Sequence, residues 1–239
     1  MRKMERLLML LMLGLPGLSH AEEQKPNPYP VMAPLGEYLI ANPQDEIALA
    51  RSAAPPSISK DAEVLVLGRQ GYATAVKGTN GFVCFVERSW TAGFNDPDFW
   101  NPKLRAPNCF NPPAVRSVLP QYLRRTEWVL AGDTTAQMIA KARAAVADHR
   151  FVAPEAGSLS FMLSKQGYVD PTAGGPWLPH VMFFVPPGQA VAWGAGLPAS
   201  PVRGADGLPF EPTVLFVPVR RWSDGSPGPQ PEGEHTHDH

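Results

Sequence analysis

The chain has 239 residues, 44% hydrophobic and 18% charged, and this balance excludes whole-chain disorder, which requires low hydrophobicity and high charge. A net charge of −1 removes the basic footprint that nucleic-acid binding needs. Two cysteines are too few for a disulfide-dense scaffold or a four-cysteine zinc site, and 28 prolines predict many loops and interrupted elements.

The chain opens on three cationic residues, Arg2, Lys3 and Arg6, followed by an apolar run over 7–15. Gly14, Pro16 and Gly17 break the run before Ser19-His20-Ala21, which places small residues at −3 and −1. This is the pattern of a secretory signal peptide, 1–21, cleaved after Ala21. The run is too short to span about 30 Å of hydrocarbon, and no later stretch reaches the length of a membrane helix. The mature chain is therefore expected to be soluble, exported to the periplasm or the extracellular space, and without membrane insertion after cleavage. Cleavage removes three positive charges and one negative, taking the net charge from −1 to −3, which attracts neither nucleic acid nor anionic lipid. In an oxidising compartment Cys84 and Cys109 are expected to form a disulfide. The alternative, a thiol nucleophile, needs a free thiol beside a base.

Residues 22–32 are polar and proline-rich and read as an extended segment. Residues 33–41 predict a short helix weakened by Gly36. Asn42 can cap the next helix, Pro43 suits its first turn, Asp45 and Glu46 complement its positive end, and Pro55-Pro56 stops it. Three strands follow, over 63–67, 72–76 and 82–87, with turns at 68–71 and 78–81. Turns this short predict an antiparallel meander. Apolar side chains at both parities in the first and third strands predict cover on both faces.

Residues 89–111 hold Trp90, Phe94, Phe99, Trp100 and Phe110 among Asn, Asp and Pro, which reads as a long loop anchored on the domain. Asn111 is expected to cap a helix that Pro120 kinks, and Asp133 to cap an alanine-rich helix over 134–148. Strands are expected again over 159–163, 180–185, 190–193 and 213–219. Composition beyond Trp222 predicts a disordered tail, 223–239. The order of strands, helices and strands predicts a single α+β domain over 22–222. It should have a mainly antiparallel sheet, two to four helices and long Pro/Gly-rich loops.

Chemistry-bearing motifs are few. Ser57-Ile58-Ser59-Lys60 matches the S-x-x-K nucleophile motif of penicillin-recognising enzymes, but it follows two prolines and precedes a strand, and Lys77-Gly78-Thr79 is not K-T-G. It reads as a turn. No nucleophile elbow, zinc-protease, phosphate-loop or dinucleotide motif occurs. Asn95-Asp96-Pro97-Asp98 lacks the glutamate of a calcium loop and reads as a turn. Strand alternation puts His180, Met182 and Phe184 on one apolar face, where an imidazole is a core residue, a general base or a metal ligand. His149 fits the negative end of a helix. His235, His237 and His239 alternate in the tail and could chelate a transition metal, against the plainer reading of a solubilising tail.

Three blocks, GTNGFVCFVERSW (78–90), WLPHVMFFVP (177–186) and LFVPVRRWSDG (215–225), resemble a family of secreted bacterial proteins of unknown function. The resemblance implies an exported single domain and assigns no activity, cofactor or catalytic residue. The sequence thus predicts a non-catalytic binding or accessory protein for an unknown small molecule or protein. Trp177 and Trp193, with His180, are its pocket candidates; Trp90 and Trp100 could add to an apolar lining. The alternatives are a periplasmic hydrolase and a metal-handling accessory protein. The first would use His180 with Asp170 or Glu155 and Ser160 or Ser164. The second would use the histidine tail.

Overall fold

The computed structural model describes residues 27–167 and 177–229. The expected signal peptide, Asp170 and the three tail histidines lie outside the described residues. Leu35–Glu37 form one turn of 3-10 helix. Helix α1, Pro43–Arg51, starts as its sequence dictates: Asn42 accepts a hydrogen bond from the Gln44 amide, and Asp45 and Glu46 occupy the first turn. Ile47 and Ala50 are its buried face. A single helical turn, α2, covers Pro56–Ser59, where the sequence predicted a plain turn. Ser57 and Lys60 are both exposed, and Lys60 lies 3.9 Å from Asp61.

Strands β1 (Glu63–Gly68) and β2 (Gly71–Val76) form a hairpin. Strand β3 (Val83–Glu87) then pairs with β1 in parallel, through Glu63↔Val83 and Val64↔Cys84, so the expected meander does not form. The connection from β2 crosses the start of β1 at Gly78. A Cβ there would fall 2.1 Å from the Glu63 nitrogen, so only glycine lets the chain pass. The Thr79 amide donates to the Asp61 carbonyl at 2.8 Å and fixes the crossing.

The aromatic stretch read as a loop contains a strand, β4 (Ala106–Phe110), antiparallel to β3. Cys84 and Cys109 stand directly opposite each other and are joined as a disulfide, with Cα atoms 4.0 Å apart. Helix α3 (Pro112–Ser117) is capped by Asn111 as expected. Pro120 does not kink this helix. The chain breaks at Val118, and Pro120 sits in the first turn of a new helix, α4 (Leu119–Leu130), where its missing N–H has no cost. Helix α5 (Thr135–Ala147) is capped by Thr134 rather than Asp133, because Gln137 completes a capping box with Thr134.

The C-terminal strands are β5 (Leu159–Met162), β6 (His180–Val185), β7 (Arg203–Ala205) and β8 (Thr213–Pro218). Residues 190–193 are not a strand: Val191–Trp193 form a 3-10 turn closed by Gly194 at φ 83°. Residues 223–228, expected to belong to a disordered tail, are ordered against the domain. The Ser223 amide donates to Leu163, and the Gly228 amide to Arg220, so 223–228 fold back as a turn on the domain.

The result is an α+β fold with an eight-stranded sheet, ordered β2-β1-β3-β4-β5-β6-β8-β7, in which β1/β3 is the parallel pair. The described residues form five α-helices, where two to four were expected. One sheet face, with Val64, Cys84, Val86 and Cys109, packs on Ile47, Ala50, Ala53 and Ala54. The opposite face, with Leu65, Phe85, Phe110 and Phe184, packs on Val118, Leu119 and Tyr122 at the start of α4. A buried ion pair locks α1 to the sheet: Arg88 donates to Glu46 at 2.8 Å, and both side chains are fully buried. Arg88 also donates to the carbonyls of Tyr38 (2.6 Å) and Val86 (2.5 Å), which offsets part of its desolvation.

Candidate functional site

Val118, at the N-cap of α4, and Gln121, Tyr122 and Arg125, along one side of the helix, line a cleft of about 160 Å³. Its floor includes Phe184 and Val214, which are paired across β6 and β8 and so point to the same face. Thr91–Gly93 close one end. Ala205, Gly207, Glu211 and Pro212 form the wall opposite α4.

That wall is held by its own hydrogen bonds. Asp206 accepts from the Ala190 amide at 3.1 Å and from the Thr213 hydroxyl. Glu211 accepts from the Leu208 amide at 3.1 Å and from Arg125 at 2.9 Å. Arg125 is the knot between the walls. Its second terminal nitrogen donates to the carbonyls of Trp90, Thr91 and Ala92, and its guanidinium lies 3.9 Å from the centre of the Phe94 ring. Burial pulls its pKa below the usual guanidinium value, with the Glu211 carboxylate opposing that shift.

Behind Thr91 lies Glu87, at the end of β3 and 7% exposed. It accepts from the Asn108 side-chain amide at 2.5 Å and from the Thr91 hydroxyl at 2.9 Å. Burial raises its pKa to about 7, against the opposing hydrogen bonds from Asn108 and Thr91 and the charge of Arg125. The side-chain oxygen of Asn108 is buried with no hydrogen-bond partner among the described residues. The Tyr122 ring packs edge-on against Phe85, Phe110 and Phe184. Burial raises the pKa of its hydroxyl well above the usual tyrosine value, and the Glu87 charge adds to that shift.

The residues singled out from sequence lie elsewhere. His180 and Trp177 do come together, with ring centres 5.2 Å apart, and Phe216 flanks the imidazole at 5.5 Å. The His180 Nδ1 is 2.7 Å from the Leu178 carbonyl oxygen, and burial lowers its pKa despite that hydrogen bond. Trp193 is 47% exposed and packs near Phe183, whose parity places it on the other sheet face from His180. Trp90 is buried and donates to the Thr126 hydroxyl, while Trp100 packs on Phe99, so both anchor the fold.

The described candidates for hydrolase partners do not converge on His180. Glu155 pairs with Arg116 at 2.6 Å, Ser164 hydrogen-bonds Ser52 at 2.6 Å, and the Ser160 hydroxyl is buried without a partner among the described residues. Among the described residues no group of three or more His, Cys, Asp and Glu side chains could hold a metal ion. The signal that sequence reading passed over was Glu87 itself, an acid ending a strand whose other residues are apolar. Tyr122 and Arg125, three apart, carried a second signal.

No protein-family model, curated protein or solved structure matches this chain.

Proposed function

We propose that this is an exported, non-catalytic binding protein that takes a small molecule into the cleft beside α4. The observation that carries the reading is the cleft itself: an aromatic floor, a polar end and walls already tied together by the Arg125–Glu211 pair. Such a site is largely formed before its ligand arrives, which lowers the ordering cost of binding. The signal-peptide pattern, the disulfide and the resemblance to secreted bacterial proteins support export. Binding is favoured over His180-based hydrolysis because no serine or carboxylate hydrogen-bonds to His180 among the described residues.

The test is a ligand-observed NMR screen of small organic fragments on the native protein and on Ala205→Trp. Ala205 is an exposed residue of the cleft wall, so the indole fills the cleft without entering the core. Hits are expected on the native protein and should be lost in the variant. Hits that survive the substitution would reject the cleft. Intact mass of exported protein should show Glu22 as the first residue; retention of Met1 would reject export by this signal.

A further inference from the structure

We infer that the cleft selects a neutral molecule of about one aromatic ring, bearing a single hydrogen-bonding group that meets the Tyr122 hydroxyl; this rests on the cleft being the binding site. Size comes first. The volume of about 160 Å³ is close to that of an engineered cavity of roughly 150 Å³ that holds benzene. The floor contacts, Tyr122, Phe184 and Val214, suit the face of a ring rather than a polar chain.

Charge comes second. The charged side chains of the lining, Arg125 and Glu211, are 15% and 10% exposed and are bonded to each other. Arg125 spends its other terminal nitrogen on the carbonyls of residues 90–92, and Glu211 spends its other oxygen on the Leu208 amide. A charged ligand would lose hydration and find no free counter-charge, so charge works against binding.

Hydrogen bonding comes third. The Thr91 hydroxyl donates to Glu87, and the Gln121 amide nitrogen donates to the carbonyls of Ser117 and Val152. The Tyr122 hydroxyl makes no hydrogen bond among the described residues. It remains protonated across the physiological range and can both donate and accept.

Four ring-sized probes decide the matter: phenol, toluene, benzoate and benzylammonium, titrated by NMR at pH 7.5 into the native protein, Tyr122→Phe and Ala205→Trp. Phenol is expected to bind about tenfold more tightly than either ion. Tyr122→Phe should weaken phenol about tenfold and toluene less than about twofold, the ratio one hydrogen bond supplies. Tighter binding of benzoate or benzylammonium, or equal loss of phenol and toluene in Tyr122→Phe, would overturn the ligand class while leaving the cleft as the site. Failure of all four probes, or binding that survives Ala205→Trp, would instead overturn the cleft and the ligand class with it.

Discussion

Glu87 is a carboxyl group that the fold prefers to keep neutral, and this gives the protein a testable pH dependence. The folded state holds its proton up to about pH 7, whereas an ordinary glutamate releases it near 4.5. Between those values the folded protein binds more protons than the unfolded chain, so stability falls as pH rises. The contribution is fully present below pH 4.5 and is lost as pH rises through about 7. Its size is about 3 kcal/mol, given about 1.4 kcal/mol for each tenfold change in proton affinity. His180 acts in the opposite direction: its lowered pKa removes stability as pH falls. Glu87→Gln keeps a neutral hydrogen-bonding group between Asn108 and Thr91 and isolates the glutamate. Urea unfolding from pH 4.5 to 8 should show the native protein losing about 3 kcal/mol relative to the variant. Parallel curves for the two proteins would mean that Glu87 is ionised throughout.

The disulfide joins two neighbouring strands at one cross-strand position, and its stabilisation belongs to the unfolded chain. Linking residues separated by 25 positions restricts that chain enough to contribute about 3.5 kcal/mol. The double variant Cys84→Ala/Cys109→Ala should therefore lose about that much stability and keep the β3/β4 register, since β3 and β4 are buried along their whole length. A loss below about 1 kcal/mol would show that the unfolded chain is already restricted there. Local pattern revealed some elements and hid others. Strands β1, β3, β6 and β8 are apolar runs bounded by turn residues, and their bounds could be read closely. Strand β4, with Pro107 and Asn108, lacks such a run, although Pro107 and Asn108 are both buried in the sheet. Residues 190–193 have the apolar content of a strand, but the left-handed glycines 188 and 194 on either side turn the chain instead. Parallel pairing of β1 and β3 depends on the backbone crossing at Gly78, a close approach that leaves no periodic trace. The cleft was hidden for another reason: its lining runs from Thr91 to Val214, so it exists only after the sheet and α4 assemble.

At the scale of the molecule, cover over the sheet is uneven. Strands β1, β3 and β4 have α1 on one face and aromatic side chains packed with α4 on the other, and the Glu46–Arg88 pair lies within this half. Beyond them the cover thins. Strand β6 is half-buried at four of its six residues, β8 is half-buried over Phe216, Val217 and Pro218, and the outermost strand, β7, is largely exposed. Local opening costs less where fewer apolar contacts must break, so the two halves should differ in native-state hydrogen exchange. Amides of β3 and β4 should exchange slowest, near the rate set by global unfolding. Those of β6 and β8 should exchange at intermediate rates, and the edge strands β2 and β7 fastest. The cleft lies at the boundary between the halves, with α4 rooted in the protected part and residues 205–212 in the thinner one. A ligand seated there bridges both and should slow exchange in β8 while leaving β3 and β4 unchanged. Uniform protection across all eight strands without ligand would show that the sheet opens as one unit. The cleft would then have no less stable half for a ligand to secure.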